Sequence, residues 1–469
     1  MANKKIFILL PDGLGLRNFA FTDFYDKGKP KAMDLVFWNN TPFDLAKMGC
    51  KEIKLKQNES RPFLEILKNV RKETELNCNI RRSNDNVYNS YRFPFSYATF
   101  KSSIKSYITR FLIQLFDSEK GLKKIRNFIK KTERKSNFYS ECLELLKVQK
   151  PDLVFCTNQR ISLAIAPLLA AQDLKITTAT FIFSWDNIPK GNMVVETDYY
   201  FVWGSQMKKE LLYYYPYIKE NQIIITGTPQ FENHFQLNNL VDKELFFKQH
   251  ALDIQKKYIC YSGDDVTTSP YDPNYLLDLI YAVRNLNKKG NNLGVIFRRC
   301  PVDFSDRFDS ILEANKDIVT AIVPKWDKVS DGWNTILPSK EDSILQSNIV
   351  AHTELVINLG SSMVFDYAAH KKPCAFVNYN YEIDDSNWSV EKIYKYVHFR
   401  SMPDDAVIWL NSSEEIEKKI EMILSDEAQK VVANAQLWFE KINQHPANEA
   451  SERIWEGITE ICNLNSTNK

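Results

Sequence analysis

The sequence is defined first by what it lacks. Its eight cysteines, at 50, 78, 142, 156, 260, 300, 374 and 462, include no pair in CxxC spacing, which argues against zinc ribbons and thioredoxin-like redox motifs. No HExxH occurs, and Asp264-Asp265 does not make a DxD metal motif, so no metal is expected. Lysine plus arginine exceeds aspartate plus glutamate by only two, 61 against 59, too little for the field that marks a nucleic-acid binder. No segment reaches the ~18 apolar residues of a spanning helix. The apolar run at the start, Ile6–Leu10, ends in Pro11-Asp12-Gly13 and reads as a buried strand, too short for a signal sequence. There is no tandem repeat and no low-complexity tract. These absences predict a cytoplasmic protein with reduced thiols.

What is present is an ordinary large globular chain. Its 469 residues are 44% hydrophobic and 26% charged, which excludes disorder. At ~150 residues per domain the length allows about three domains, or two large α/β ones. Area scaling buries roughly three quarters of the surface, enough for a core without disulfides or metal. Aromatics at 13% hint at stacking surfaces, although most such rings belong in cores.

Strand-like apolar runs alternate with helical patterns. Strands are predicted over 5–10, 34–38, 152–156, 178–183, 199–202, 222–226, 258–262, 294–298, 318–322, 355–359 and 374–378, with helices between them. Continuous Val/Ile runs with helical crossovers imply parallel sheets covered on both faces. The expected fold is therefore α/β, with two doubly wound, Rossmann-like domains facing across a cleft. Residues 1–230 form the first domain, 231–256 an interdomain segment and 257–412 the second domain. Helices over 413–469 return to the first domain. Within the first domain, 101–135 carry eleven Lys/Arg against three acids, interleaved with apolar residues at helical spacing. Such a stretch is either an ordinary surface helix with one buried stripe or a segment that lies on an anionic membrane.

Several loops at predicted strand ends carry chemistry. Gly360-Ser361-Ser362 follows a strand and opens a helix, where glycine, two hydroxyls and free N–H groups suit a diphosphate; Ser361 as a plain helix cap is the alternative. Asp366, one turn further, is placed to accept from ribose hydroxyls. Arg298 and Arg299 end a strand, where guanidinium grips phosphate, unless they are ion-paired. The loop after Ser262 offers Gly263, Thr267 and Thr268, or is only a polar turn. Together these three loops predict a nucleotide or phosphate site in the second domain. In the first domain Gly13, Gly15 and Asn18 hold the spacing of a GxGxxG with its last glycine replaced, which is weak. The following strand ends in Asn39-Asn40 rather than an acid, which argues against NAD or FAD. Asp12 is either a general base for a hydroxyl or a turn residue, with Arg17 and Asn18 just behind it. Trp185, Asp186, Asn187 and Lys190 form a second polar loop, suited to sugar recognition or to capping and core packing. His352 and His370 flank the Gly-Ser-Ser corner, His370 at a helix C-terminus.

In their order along the chain, PDGLGLRNF, SWDNIPKG, FVWGSQMK, ITGTPQFE, FRRCP and INLGSSMVFDYAAHKKP resemble bacterial glycosyltransferases of the GT-B fold that build surface polysaccharide. The last block also resembles CDP-glycerol glycerophosphotransferases and, more loosely, UDP-N-acetylglucosamine 2-epimerases. One departure is Cys300, where related phosphotransferases often read Arg-Pro-His-Pro. The resemblance implies an acceptor-side first domain and a nucleotide-sugar-binding second domain. Gly360, Ser361, Ser362 and Asp366 would then hold diphosphate and ribose. Arg298 would neutralise the leaving nucleotide, and GTPQFE would be the hinge region. The expected activity is metal-independent transfer of a sugar from a nucleotide sugar, a co-substrate rather than a cofactor, to a hydroxyl of a surface glycan or glycolipid. Asp12 is the expected base and Asp186 the second candidate. Rival expectations are a nucleotide-sugar epimerase or hydrolase, a CDP-glycerol-type phosphotransferase, and a non-catalytic scaffold of glycan assembly. Peripheral contact with the inner face of the cytoplasmic membrane, through 101–135, completes the expectation.

Overall fold

The computed structural model describes residues 4–31, 33–55, 61–328, 336–382, 388–425 and 427–467. They form two compact units. The first is built chiefly from the chain up to Pro229 and from Ile442 onward, the second from Gln230–Lys328 and Pro338–Lys441.

The first unit is organised on a seven-stranded parallel sheet: β1 (Lys4–Leu10), β2 (Met33–Asn39), β3 (Glu52–Lys54), β4 (Leu153–Cys156), β5 (Thr177–Phe181), β6 (Tyr199–Val202) and β7 (Ile223–Ile225), in the order β3-β2-β1-β4-β5-β6-β7. The second unit carries six parallel strands: β8 (Lys257–Ser262), β9 (Leu293–Arg298), β10 (Val319–Ala321), β11 (Val356–Asn358), β12 (Cys374–Val377) and β13 (Ile408–Leu410). Their order is β10-β9-β8-β11-β12-β13. Central strands such as β4, LVFC, are buried along their whole length, because helices cover both faces of a parallel sheet. In each sheet the winding reverses beside its first strand, between β1 and β4 and between β8 and β11. Loops leaving the carboxyl ends of such a pair diverge and leave a crevice for a ligand.

All eleven expected strands form, their ends within two residues of those expected. Within these two sheets the pattern misses β3 and β13, three-residue strands at the sheet edges, and it also misses a small separate ribbon of Asp327–Lys328 with Ile336–Leu337. Three residues show no periodicity, and β3 reads Glu-Ile-Lys, the charged composition of a protected edge.

The boundaries fall elsewhere than expected. Residues 231–256 lie inside the second unit, and so do the helices Glu415–Leu424 and Gln429–Ile442, up to Lys441. Aromatic packing explains the latter: Trp438 is fully buried and lies 4.8 Å edge-on from Phe365, while Phe439 meets Phe231 at 4.8 Å. Of the C-terminal helices, only the stretch from Ile442 belongs to the first unit. There Trp455, on helix Ala450–Thr467, stacks 4.6 Å from Phe24 and donates its indole N–H to the Phe24 carbonyl at 2.6 Å. Among the described residues no helix is long and apolar enough to cross a membrane.

Candidate functional site

At the second switch point the three expected loops do come together. Parallel register pairs Ser262 with Arg298 and Tyr261 with Ile357, so the loops after β8, β9 and β11 leave one sheet edge side by side. The Gly360 corner is built on conformation. Gly360 adopts φ +67°, and a Cβ there would press within 3.0 Å of the Phe399 ring, so both backbone and neighbour require glycine. The Asn358 side chain accepts the Ser361 N–H at 2.9 Å and fixes the turn. The Ser361 hydroxyl accepts weakly from the Met363 N–H at 3.4 Å, but Ser362 holds the N-cap position without a side-chain cap bond, so Ser361 is not the helix cap. Ser361 is half-buried and Ser362 is exposed; the corner is not covered by packed side chains.

Other expected ligands there are engaged elsewhere. Arg298 is buried and donates to Asp342 Oδ2 at 2.9 Å, an oxygen that also accepts from the Trp326 indole at 2.6 Å. It is an internal ion pair rather than an open phosphate clamp, although its second terminal nitrogen has no partner. Arg299 pairs with Asp309 at 2.8 Å. The Thr268 hydroxyl donates to Asp265 at 2.8 Å, and both the Thr267 hydroxyl and its N–H also donate to Asp265, so these threonines close their own turn. Gly263 is buried against Phe297 and the Asp272 carboxylate. Asp366 is buried as well, and the ribose role expected of it does not fit its partners. Its Oδ1 lies 2.7 Å from His234 Nε2 and accepts from Gln346 at 2.9 Å. His234 Nδ1 in turn lies 3.0 Å from His370 Nε2. Burial, above all, with the nearby charges of His234 and Lys372, pushes the His370 imidazole down to about 3. His352 is held by the Val241 carbonyl at 2.8 Å.

Sequence reasoning missed the acids of this edge. Asp272 opens a helix, fully buried, and takes hydrogen bonds from the Tyr261 hydroxyl at 2.6 Å and the Asp264 N–H at 2.7 Å. Asp264 Oδ2 is buried without a partner. Burial first, then the neighbouring Asp272 and Asp265, hold the Asp264 carboxyl well above its usual range. Arg307 ties this loop down through the carbonyls of Ser269 (2.6 Å) and Asp264 (2.5 Å). Only the pattern Asp264…Asp272 at a strand-to-helix turn signalled this pair.

At the first switch point Asp12, after β1, is buried, and the Asn158 side chain, after β4, donates to its Oδ2 at 2.8 Å. Its Oδ1 has no partner. Burial pushes the Asp12 carboxyl up to about 6, against the opposing charge of Arg160 and the Asn158 hydrogen bond. The glycines serve packing here. A Cβ on Gly15 would lie 2.4 Å from Thr157 Oγ1, so Gly15 lets the short helix Leu14–Phe19 seat on the end of β4. Arg17 is half-buried on that helix. Asn18 is fully buried, its amide 3.5 Å from the Thr228 hydroxyl; it braces the interior instead of meeting a substrate.

The Trp185 loop is also mostly internal. Trp185 and Asn187 are buried, so the indole offers no open face for a sugar, and the Asn187 Oδ1 accepts from Asn192 at 3.1 Å. Asp186 takes the Ser184 hydroxyl at 2.6 Å and pairs with Lys190, leaving it less ready than Asp12 to take a proton. The loop is anchored by Arg71, which donates to the Gly191 carbonyl at 2.7 Å and pairs with Glu75 at 2.7 Å; Arg126 pairs with the same Glu75 oxygen at 3.0 Å. Two further titrating groups escaped the sequence reading. Burial pushes Glu210 up to about 7, with Gln206 opposing and Asp186 adding to the rise. Burial likewise pushes the Lys72 ammonium down to about 8, with Glu73 opposing and the charges of Arg71, Lys190 and Arg160 adding to the fall. Among the described residues no group of three or more His, Cys, Asp or Glu is arranged to hold a metal ion.

No protein-family model matches the sequence, and no curated protein sequence matches it. Solved structures do match its backbone. A glycosyltransferase from Rickettsia africae aligns with TM-score 0.52 at 13% identity, over 98% of this chain and 99% of that one. A UDP-GlcNAc 2-epimerase from Methanocaldococcus jannaschii aligns with TM-score 0.51 at 13% identity, over 97% and 99%. A variant of the wall teichoic acid polymerase TagF aligns with TM-score 0.51 at 12% identity, over 99% and 90%. At such identities the likeness is one of fold: the chain has the GT-B fold, two parallel-sheet α/β units of the kind the sequence resemblance implied.

Proposed function

We propose that this chain is a nucleotide-sugar-dependent enzyme that transfers a glycosyl group to an acceptor hydroxyl. The fold it shares with a glycosyltransferase and a UDP-GlcNAc 2-epimerase supports use of a nucleotide sugar. The observation that carries transfer is Asp12, a buried carboxylate with a titration point near 6, one oxygen oriented by Asn158 and the other without a partner. Such a group is ionised at neutral pH yet basic enough to accept a proton as a bond forms.

In this reading the acceptor oxygen attacks the anomeric carbon while its proton passes to Asp12 Oδ1. The bond between that carbon and the diphosphate oxygen breaks, and the nucleoside diphosphate leaves. The Gly360–Ser362 corner cradles the diphosphate with its turn N–H groups and the Ser361 and Ser362 hydroxyls. Asp264, whose carboxyl burial and then Asp272 hold well above its usual range, would in its protonated form donate its O–H to a phosphate oxygen, where an ionised carboxylate would repel it. Arg160, whose charge acts on Asp12, and Lys72, whose neighbours include Arg160, place positive charge on the first unit, which favours an acceptor carrying negative charge.

Thermal melting with UDP, GDP, CMP, CDP and TDP tests the nucleotide half, because a ligand bound to the native state raises the transition. One of them is expected to raise it; a flat response to all would end the nucleotide reading. Turnover of the matching nucleotide sugar with and without acceptor then separates transfer from epimerisation or hydrolysis. Full turnover with donor alone would favour those chemistries.

A further inference from the structure

Helix Phe100–Phe116 of the first unit is turned inside out. Phe100, Ile104, Tyr107, Ile108, Phe111 and Leu115 are all exposed, with Phe100 at 84% and Tyr107, Phe111 and Leu115 at about 65%. At 3.6 residues per turn these six positions fall within an arc of about 100°. The inward face carries small polar residues: Ser106 is buried and donates to the Ser96 carbonyl at 2.8 Å, and Thr109 is buried and donates to the Lys105 carbonyl at 2.7 Å. Leu112, Ile113 and Phe116 complete the seat against the core. The expectation of an ordinary surface helix with one buried stripe therefore describes half of it. A second apolar stripe faces solvent.

Charge says what covers that stripe. Lys101 and Lys105 flank it on one side and Arg110 on the other, all exposed, and the next helix, Glu119–Glu133, adds exposed Lys120, Lys123, Lys124 and Lys131. A second copy docking through the same face about a two-fold axis would bring these like charges together. An anionic lipid surface pairs with both features at once, because apolar side chains enter the acyl boundary while flanking cations meet headgroups.

We infer that this helix is a monotopic membrane anchor, lying in the plane of an anionic bilayer with Phe100, Tyr107 and Phe111 inserted. The inference is independent of the enzymatic reading, since its readout needs no substrate. Sedimentation with vesicles tests it, using phosphatidylcholine alone and phosphatidylcholine mixed with phosphatidylglycerol. The full chain is expected to bind the mixed vesicles and to release with salt. Phe100→Ser with Phe111→Ser should weaken binding at least about tenfold, given the apolar area withdrawn. Lys101→Glu with Lys105→Glu should remove the preference for phosphatidylglycerol. Both variants carry exposed substitutions, and an unchanged thermal melt verifies that they remain folded. Equal binding of wild type and the Phe variant would overturn the anchor. So would a wild-type dimer in light scattering that ignores vesicles and becomes monomeric on Phe111→Ser, which would assign the stripe to self-association.

Discussion

At the first switch point a carboxylate keeps one oxygen unpartnered and titrates near 6, with Arg160 and Lys72 close enough to act on each other's surroundings. At the second, the side chains of Arg298, Thr267, Thr268 and Asp366 are already bonded to their neighbours. What stays open there is backbone and two serine hydroxyls. On the proposed reading the same strand order frames two chemistries. A proton acceptor must be held short of full satisfaction, because each added donor lowers its basicity. A diphosphate cradle needs no such tension; it needs a turn that keeps its shape, and buried pairs such as Arg298–Asp342 supply the rigidity.

The sharpest way to break this contrast is Arg298→Met. If Arg298 is a brace, the variant loses about 3 kcal/mol, the low end for removing one partner of a buried ion pair, because Trp326 still satisfies Asp342. Urea unfolding reads the loss, and nucleotide affinity of the folded fraction stays level. A stable variant that no longer binds nucleotide would move Arg298 back among the ligands.

Asp12→Asn comes next. Turnover should fall at least ~100-fold, the scale of general-base removal, while the wild-type rate rises with pH through about 6 as Asp12 ionises. Stability should move the other way. A carboxyl raised on folding binds its proton more tightly in the native state, so its share of stability is present below its ordinary value near 4 and is lost as pH climbs through 6. The asparagine variant is therefore expected to be more stable at pH 7 by up to about 3 kcal/mol, with the gain gone below pH 4. Urea unfolding at several pH values checks it. A variant with lower stability at pH 7 would mean the carboxylate is structural.

Ser361→Ala with Ser362→Ala probes the other side of the contrast. Neither hydroxyl is buried, so the fold should hold while nucleotide affinity drops about tenfold, the worth of one or two hydrogen bonds to a charged group. Titration calorimetry reads it directly. Unchanged affinity would leave the corner as a turn and nothing more.

The legibility of this molecule follows the same division. Eleven strands and the alignment of three loops at one sheet edge were visible because long apolar runs and parallel winding leave few choices. Gly360 and Asp12 were visible because strand-to-helix turns with glycine are short-range signals. That Arg298 and Asp366 are bonded internally and Trp185 is buried was not legible for one reason: a residue at a strand end looks the same in sequence whether it faces a ligand or a partner. Asp342, Gln346 and His234 sit 44, 20 and 132 residues from the groups they satisfy, and no local pattern reports such pairings. The outward stripe on Phe100–Phe116 was half legible, since amphipathic spacing shows that stripes exist without showing which one meets the core.

The smallest expected effect belongs to Lys72. Its ammonium titrates near 8, so within the working range of pH the charge offered to an anionic acceptor falls as pH rises past 8. Lys72→Met should raise the acceptor KM by a few-fold, about the worth of one partly exposed charge, and leave kcat unchanged. The same variant should flatten the alkaline rise in KM that the wild type shows. If KM rises in the variant but its pH dependence survives, another group near the first switch point carries that titration. The cationic surroundings of Asp12 would then act as a field, with no single lysine as the contact.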